Sequence, residues 1–379
     1  MTEQSFANVF NDRLEPTPAS IEPAGSTPAL EEDNVSPKTR KPTSLDIAEI
    51  AKVSQATVSR ALRGSPLVNA ETRDRVLEIA RRLHYRTDRS AAGLRSRRSG
   101  TLALLLFEES RDEGQINSFF LSMLGHITHS AARRGFDLLL SFQQLSDDWH
   151  TDYEVSNRAD GLILLGYGDY LVYLERLRRF AELSAHFVVW GPMIDSRPGH
   201  FVSCDNVLGA QLAVEHLVKL GRRSIAFIGS ALDRSPEFQR RHSGYVQALR
   251  AAGLEPNPRL HREARSLEAE GYRAGLELLD TQAHFDAVFT ASDLIAMGLV
   301  RALQDRGLRV PEDVAVVGFD DIGPAAHFNP PLTTVRQDTG LAGEYLVDNL
   351  IKLIEGQRVE SRVITPELVV RASCGARAI

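Results

Sequence analysis

The chain has 379 residues, 43% of them hydrophobic and 25% charged, which allows two or three domains with cores of their own and is ordinary for a soluble protein. Its two cysteines, Cys204 and Cys374, exclude a disulfide framework and lack metal-type spacing, as expected in a reducing cytoplasm. The formal charge of −6 is unevenly spread: between Pro42 and Ser99 twelve Lys and Arg stand against six Asp and Glu, so this segment carries +6 and the remainder −12. A small basic module on an acidic body implies a polyanionic partner for the module alone. The start, Met-Thr-Glu-Gln-Ser, lacks the regions of a signal peptide, and Leu102–Phe107 is an apolar run of strand length only. A cytoplasmic location and no membrane partner are expected.

Residues 1–41 are rich in Pro, Ser, Thr and Glu, have few large apolar side chains, and read as a flexible tail. Thr43 with Asp46 three positions on is a capping-box-like helix start, and Ile47, Ala48, Ile50 and Ala51 supply an apolar stripe. The helix breaks at Lys52-Val53, and Ser54 caps a second one. On that second helix Val58, Ala61 and Leu62 face inward, leaving Gln55, Thr57, Ser59 and Arg60 outward. Two short helices joined by a tight turn fit a helix-turn-helix, whose second helix enters a DNA major groove. Periodicity alone does not separate this from an ordinary helical hairpin. A third helix begins at the Asn69 cap, with Val76, Ile79, Ala80 and Leu83 at core spacing. By composition, residues 88–99 are a basic linker.

From Thr101 onward, apolar strands alternate with amphipathic helices. Strands are expected at Leu102–Phe107, Phe136–Phe142, Gly161–Leu165 and Phe187–Trp190, with helices at Phe119–Arg134 and Tyr170–Ala185. A second series has strands at Ser224–Ile228, Ala287–Thr290 and Val314–Gly318, with helices through Gly244–Ala252 and over Leu294–Arg306. The expected fold is therefore an all-α helix-turn-helix headpiece (42–87) followed by a two-lobed α/β domain of doubly wound parallel sheets (100–379). In such sheets ligands bind beyond the carboxyl ends of the strands, so the cleft between the lobes is the default site. Trp149-His150 reads as part of a polar loop.

The stretch Val53-Ser54-x-x-Thr57-Val58-Ser59-Arg60-Ala61-Leu62, continued by Val68-Asn69-Ala70-Glu71-Thr72-Arg73 and ending at Leu83-His84-Tyr85, resembles the headpiece of the lactose/galactose repressor family. The likeness runs on through Asp205-Asn206-x-x-Gly209-Ala210, His216-Leu217-x-x-Leu220-Gly221, Arg241-x-x-Gly244-Tyr245, Val317-Gly318-Phe319-Asp320-Asp321 and Pro331-Leu332-Thr333-Thr334-Val335. It implies a periplasmic sugar-binding-protein-like fold in which the chain crosses three times between lobes. Lobe 1 is expected at about 100–220 and 334–355, and lobe 2 at about 221–333 and 356–379.

By this resemblance Gln55, Ala56 and Arg60 meet base edges: Arg60 suits a bidentate guanine contact, Gln55 an adenine, and Ala56 a thymine methyl. Thr43, Ser54, Thr57, Ser59 and Asn69 suit phosphates, and Tyr85, closing the motif, joins the DNA-contacting set. Residues 88–99 become a hinge helix that orders on DNA, with Leu94 wedged into the minor groove. Gly93 weakens that helix by roughly 1 kcal/mol, and Thr87-Asp88 stand where Pro-Asn is common. Lys52 fills a turn position often held by Gly, and Arg63 one where Asn is usual.

In the cleft Arg241 and Asp320 match the family's effector-binding arginine and aspartate, a planar guanidinium and a carboxylate suited to sugar hydroxyls. Ser292-Asp293 stands for the more frequent Asn-Asp. Asn117 and Phe119 match pocket-lining positions, and Trp190, ending a strand, is placed to stack on a sugar face. No catalytic or metal constellation is expected: His126 and His129 lie on one helix and His216 on another, and Gly166-x-Gly168 lacks the rest of a dinucleotide fingerprint. The implied function is a cofactor-free, non-enzymatic transcription regulator. It is expected to be a homodimeric repressor on roughly palindromic double-stranded operator DNA, released by a small molecule, a sugar by the family's habit. A nucleobase corepressor, or a ligand-binding module without DNA function, are the alternatives.

Overall fold

A computed structural model describes residues 42–85 and 98–376, apart from 108–115, 146, 167–169, 194–197 and 232–234. The expectations for the tail and for the hinge up to residue 97, Leu94 included, lie outside the described residues. The chain forms two compact units, a small amino-terminal one and a large α/β one.

The first unit holds three helices, α1 (Ser44–Ala51), α2 (Gln55–Leu62) and α3 (Ala70–Arg82). Each begins at the polar residue read from the sequence. Thr43 and Asp46 form a reciprocal capping box, and the side chains of Ser54 and Asn69 accept from the backbone N–H of Thr57 and Thr72. Lys52 ends α1 in the left-handed region (φ 53°), the conformation that a glycine adopts without strain. Ile47, Ala51, Val58, Ala61, Val68 and Val76 close a small core. Ile50 does not join it and is 45% exposed. At about 100° per residue it falls off the edge of the stripe centred on Ile47, Ala48 and Ala51.

The second unit contains two six-stranded sheets. In the first, β1 (Thr101–Leu106), β2 (Asp137–Phe142), β3 (Leu162–Leu165), β4 (Phe187–Trp190), β5 (His200–Cys204) and β11 (Arg362–Ile364) run in the order β11-β5-β4-β3-β1-β2, all parallel. In the second, β6 (Ile225–Ile228), β7 (His261–Arg262), β8 (Ala287–Thr290), β9 (Ala315–Asp320), β10 (Thr333–Arg336) and β12 (Glu367–Val369) run β12-β10-β9-β8-β6-β7, with only β12 antiparallel. The central strands are buried on both faces because helices cover both sides, and so they read as continuous apolar runs such as Leu102–Leu106. The helices are α4 (Ser118–Arg133), α5 (Tyr170–Glu182), α6 (Asn206–Lys219), α7 (Pro236–Ala251), α8 (Glu268–Asp280), α9 (Asp293–Asp305) and α10 (Thr339–Ile354).

The lobe boundaries differ from those expected. Helix α6 belongs to the second lobe, since its small residues let it lie against that sheet and α7. A Cβ at Gly209 would come within 2.7 Å of Phe319, and one at Gly244 of α7 would meet the Val207 carbonyl at 2.3 Å. Strand β10 pairs with β9 of the second lobe, whereas β11 pairs with β5 of the first. Helix α10 packs on α4 and on β3–β5 of the first lobe. The crossings therefore fall at Asp205, at Gln337-Asp338, and between β11 and β12. Lobe 1 comprises 98–204 and 339–364, and lobe 2 comprises 206–336 and 367–376.

Trp149 is not in a polar loop: it is 1% exposed, lies edge-on to Phe180 at 5.6 Å, and donates its indole N–H to the Gln143 carbonyl at 3.0 Å. It precedes a π-helical turn, His150–Val155, whose Glu154 accepts from His186 through both the backbone N–H (3.1 Å) and Nδ1 (2.6 Å). Asp160 accepts from the backbone N–H groups of Ser99 and Gly100 and so pins the entry to β1. Both cysteines are buried and free. Burial pushes the Cys204 thiol up to about 12, and Cys374 Sγ lies 3.3 Å from His216 Nε2.

Candidate functional site

Two sites emerge, one in each unit. In the small unit α2 presents Gln55, Ala56 and Arg60 as exposed side chains on one face, while Val58 and Ala61 hold the other face in the core. Gln55 Nε2 donates to Ser44 Oγ at 2.9 Å, which ties the start of α2 to the start of α1. Ser54 and Thr57 share a hydroxyl–hydroxyl bond of 2.9 Å at the α2 amino end, where free backbone N–H groups and the helix dipole favour an anion. Thr43 is engaged with Asp46, donating to it through Oγ1 at 2.7 Å. Ser59 is half-buried and Asn69 is exposed. Tyr85 is half-buried, packs on the core and donates its backbone N–H to the Ala80 carbonyl, so it secures the end of α3.

The second site lies between the lobes. The carboxyl ends of β1, β3 and β4 face those of β6, β8 and β9, and the lobes touch there: Arg240 Nη2 donates to the Met193 carbonyl at 2.5 Å, and Asn117 Nδ2 to Ser266 Oγ at 3.3 Å. Arg241, on the buried face of α7, is 4% exposed. Its Nε donates to Asn206 Oδ1 at 2.7 Å, and its Nη1 to the Ala291 carbonyl and to Asp320 Oδ1, the latter at 3.3 Å. Its guanidinium carbon lies over the Phe319 ring, 3.7 Å from the centroid. Gln337 Nε2 also donates to Asp320 Oδ1, at 2.7 Å. Among the described residues, Asp320 Oδ2 and Arg241 Nη2 have no hydrogen-bond partner, so an acceptor–donor pair is left for a ligand.

Asp320 and Asp321 both have positive φ, 119° and 53°, a conformation costing of order 1–3 kcal/mol for such residues. The turn sends the two carboxylates apart. Asp320 is enclosed beside Arg241, while Asp321 accepts from Arg371 at 2.6 Å and from Arg336 at 2.7 Å. Burial pushes the Asp320 carboxyl up from its ordinary value, against the pull of Arg241 and Gln337.

Asp293 has a different role from the one expected. It is fully buried, its Oδ1 accepts from Thr334 Oγ1 at 2.5 Å, and its Oδ2 accepts from the Ile322 backbone N–H at 2.9 Å. Both oxygens are used inside the protein, tying the β9 turn to β10, and burial followed by the nearby Asp320 charge raises its pKa well above the usual carboxylate range. Ser292 caps α9 and accepts from Ser266 Oγ at 2.9 Å. Asn117 caps α4, so Asn117, Ser266 and Ser292 join two helix amino ends from opposite lobes. Trp190 is 6% exposed and sits against Phe119, with ring centroids 5.8 Å apart: the two form one packed wall rather than a free stacking face. Asn206, Ser266 and Gln337 were not singled out from the sequence, although Asn206 lies within the Asp205-Asn206 motif at a lobe crossing. Among the described residues no group of three His, Cys, Asp or Glu is placed to hold a metal ion, and no helix is long and apolar enough to cross a membrane.

Comparison with known proteins assigns both units to known domain types. Residues 43–88 match the model of bacterial regulatory proteins of the lacI family, and residues 214–374 that of the periplasmic binding protein-like domain. The HTH-type transcriptional regulator CelR of Thermobifida fusca is 33% identical over 341 residues, which is 88% of this chain and 98% of that protein. The HTH-type transcriptional repressor PurR of Pasteurella multocida is 28% identical, over the same shares. Among solved structures, a transcriptional regulator CelR–cellobiose complex matches with a TM-score of 0.65 at 32% identity, covering 88% of this chain and 99% of that one. The Lac repressor dimer bound to operator and the anti-inducer ONPF matches with a TM-score of 0.75 at 27% identity, covering 89% and 100%. With a capped helix-turn-helix ahead of a two-lobed domain and likeness along nearly its whole described length, this chain belongs to the lacI family of bacterial regulatory proteins and is a DNA-binding transcriptional regulator that answers to a small-molecule effector.

Proposed function

We propose that the protein is a repressor of carbohydrate-utilisation genes that leaves its operator when a sugar binds between the lobes. The observation that carries this reading is the Arg241–Asp320 pair, buried and held by Asn206 and Gln337, with Nη2 and Oδ2 unengaged by other described residues. A sugar hydroxyl donates and accepts at once, and so satisfies both groups. The similarity to a regulator solved with cellobiose supports the same class. Two copies acting in the cytoplasm read the two halves of a roughly palindromic site, with Gln55, Ala56 and Arg60 of each on base edges and Thr43, Ser54, Thr57, Ser59, Asn69 and Tyr85 fixing register on the backbone. Leu94 supplies the minor-groove wedge. Asn117, Phe119, Trp190 and Ser292 shape the pocket around the charged pair, and no step of this cycle is catalytic. The sugar acts through its preference for one arrangement of the lobes over the other.

The test is fluorescence anisotropy of the full chain on a palindromic operator at fixed salt, with and without a panel of sugars. Salt is fixed because phosphate contacts dominate affinity. A sugar that weakens specific binding tenfold or more supports the reading. A purine that strengthens binding while every sugar is silent replaces the effector class and makes the ligand a corepressor. Equal affinity for palindrome and random DNA overturns the operator reading.

A further inference from the structure

A cavity of about 420 Å³ opens on the first lobe at the amino ends of its strands, the opposite end of the sheet from the effector cleft. Its volume is that of a small-ligand pocket. Arg98 lines it ahead of β1, Asp160 ahead of β3 and His186 ahead of β4, with His150 and Glu154 of the π-helical turn beside them. Both carboxylates are spent inside the protein. Glu154 Oε1 accepts from His186 Nδ1 at 2.6 Å, and its Oε2 from the His186 backbone N–H at 3.1 Å. Asp160 Oδ1 accepts from the backbone N–H and the hydroxyl of Ser99, and its Oδ2 from the Gly100 N–H at 2.9 Å. The cationic groups are not spent. Arg98 is exposed and engages only Nη2, which donates to the Ile354 carbonyl at 3.0 Å. Among the described residues Arg98 Nε and Nη1 and His186 Nε2 have no hydrogen-bond partner, and His150 Nε2 stands 3.8 Å from Glu154 Oε2, beyond hydrogen-bond reach.

We propose that Arg98 and His186, with His150 beside them, form a second small-molecule site that takes an oxyanion, a sulfate- or phosphate-like group. The chemistry of the cavity is one-sided. Each carboxylate oxygen already has a donor, so a cationic ligand finds no unengaged negative charge there. An oxyanion brings acceptors only, and it finds the free edge of a guanidinium and the free nitrogen of an imidazolium, the pairing that gives strong charge-assisted hydrogen bonds. Glu154 is a positioning residue: by taking the Nδ1 proton it fixes the ring and leaves Nε2 as the unengaged nitrogen. A free inorganic anion and the phosphate of a small monoester share this chemistry.

The site carries a pH signature. With Nδ1–H held by Glu154, neutral His186 has a lone pair at Nε2, which repels an oxyanion, whereas the protonated ring has a donor there. The hydrogen bond to Glu154 raises the His186 pKa against burial; the charges of Glu154 and Asp160 add to the rise and that of Arg98 opposes it. A bound oxyanion favours the protonated ring and raises its pKa further. Affinity is therefore full below the pKa of the free site and is lost as pH rises through that of the complex.

The experiment is titration calorimetry of the full chain with sulfate, inorganic phosphate and glycerol 3-phosphate, at fixed ionic strength and from about pH 6 to 9, on wild type and on Arg98→Ala and His186→Gln. Sulfate keeps its charge across this range, so its pH profile reports the protein alone. Wild type is expected to bind sulfate at the acid end and to lose about tenfold in affinity towards the alkaline end. Each variant is expected to weaken sulfate tenfold or more, and His186→Gln to flatten the pH profile. Tighter binding of glycerol 3-phosphate than of phosphate assigns the site to phosphate esters, and the reverse order to the free ion; both uphold it. Arg98→Ala changes an exposed side chain and leaves the Glu154–His186 bond in place, so it tests the site even where His186→Gln folds poorly. An anion lodged in the effector cleft instead would bind Arg98→Ala as tightly as wild type. That result overturns the inference, as does the failure of all three anions to bind wild type or a His186→Gln profile that matches it.

Discussion

In the second lobe the cleft wall is polar: Arg241, Asp320, Ser292 and Ser266 stand on or beside helices and strand ends there, with Asn206 and Gln337 at the crossings. In the first lobe the facing wall, among the described residues, includes Phe119 packed on Trp190, Gly191, the Met193 carbonyl and the side chain of Asn117. Both sheets have six strands in equivalent order, differing only in the direction of the edge strands β11 and β12, so topology does not account for the division. The difference teaches how closure can be sensed. Among the described residues, a ligand held by the polar lobe would meet the other lobe chiefly through aromatic rings, backbone and Asn117.

The sharpest way to break this asymmetry is Arg241→Ala. It strips the polar wall of its only buried cation among the described residues and leaves Asp320 buried with a single partner, Gln337. Loss of about 3–5 kcal/mol of stability is expected, together with loss of the effector response. Thermal unfolding and operator anisotropy with and without sugar check both. On the opposite wall Trp190→Phe removes part of a packed ring without touching a charge. A cost of roughly 2 kcal/mol is expected, with effector binding weakened but present, as seen by denaturant unfolding and calorimetry. Equal loss of response in the two variants would mean that the walls do not divide the work as described.

Ser266→Ala tests the link that joins the walls. It removes the hydroxyl between Asn117 and Ser292, worth about 0.5–1.5 kcal/mol, and should weaken the effector a few-fold while leaving the fold intact. The smallest effect belongs to the first lobe alone. The hydrogen bond to Glu154 raises the pKa of the half-buried His186, against burial. A raised pKa means that the contribution is fully present below the unfolded value of about 6.5 and is lost as pH rises through the folded one. The thermal midpoint of wild type should thus fall relative to His186→Ala as pH increases across that window, measured by calorimetric scanning.

The headpiece was legible almost residue by residue, because its signals are local: Thr43, Ser54 and Asn69 each cap the helix they precede. Strands such as Phe187–Trp190 and Ala287–Thr290 were legible for the same reason, as short apolar runs between polar ends. The lobe boundaries were not. Whether α6 leans on one lobe or the other depends on how closely Gly209 lets it approach Phe319, a contact over more than a hundred positions of sequence that no window of periodicity contains. Within the cleft, Arg241 and Asp320 stood out by resemblance, but which neighbour holds them did not. Asn206 and Gln337 look like ordinary polar residues until the crossings bring them beside Arg241 and Asp320. Asp293 entered the cleft set by resemblance, beside Ser292, and only the fold shows Thr334 and Ile322 occupying both its oxygens.

The close approach of α6 and α7 has a mechanical meaning. With the α7 backbone at Gly244 seated against the Val207 carbonyl, either helix would have to lift off before it could slide past the other. Helix α6 starts at its Asp205 cap, where the chain leaves the first lobe, and α7 carries Arg241 to the cleft. A pull on Arg241 would therefore reach the α6 side of that crossing through one close helix–helix contact.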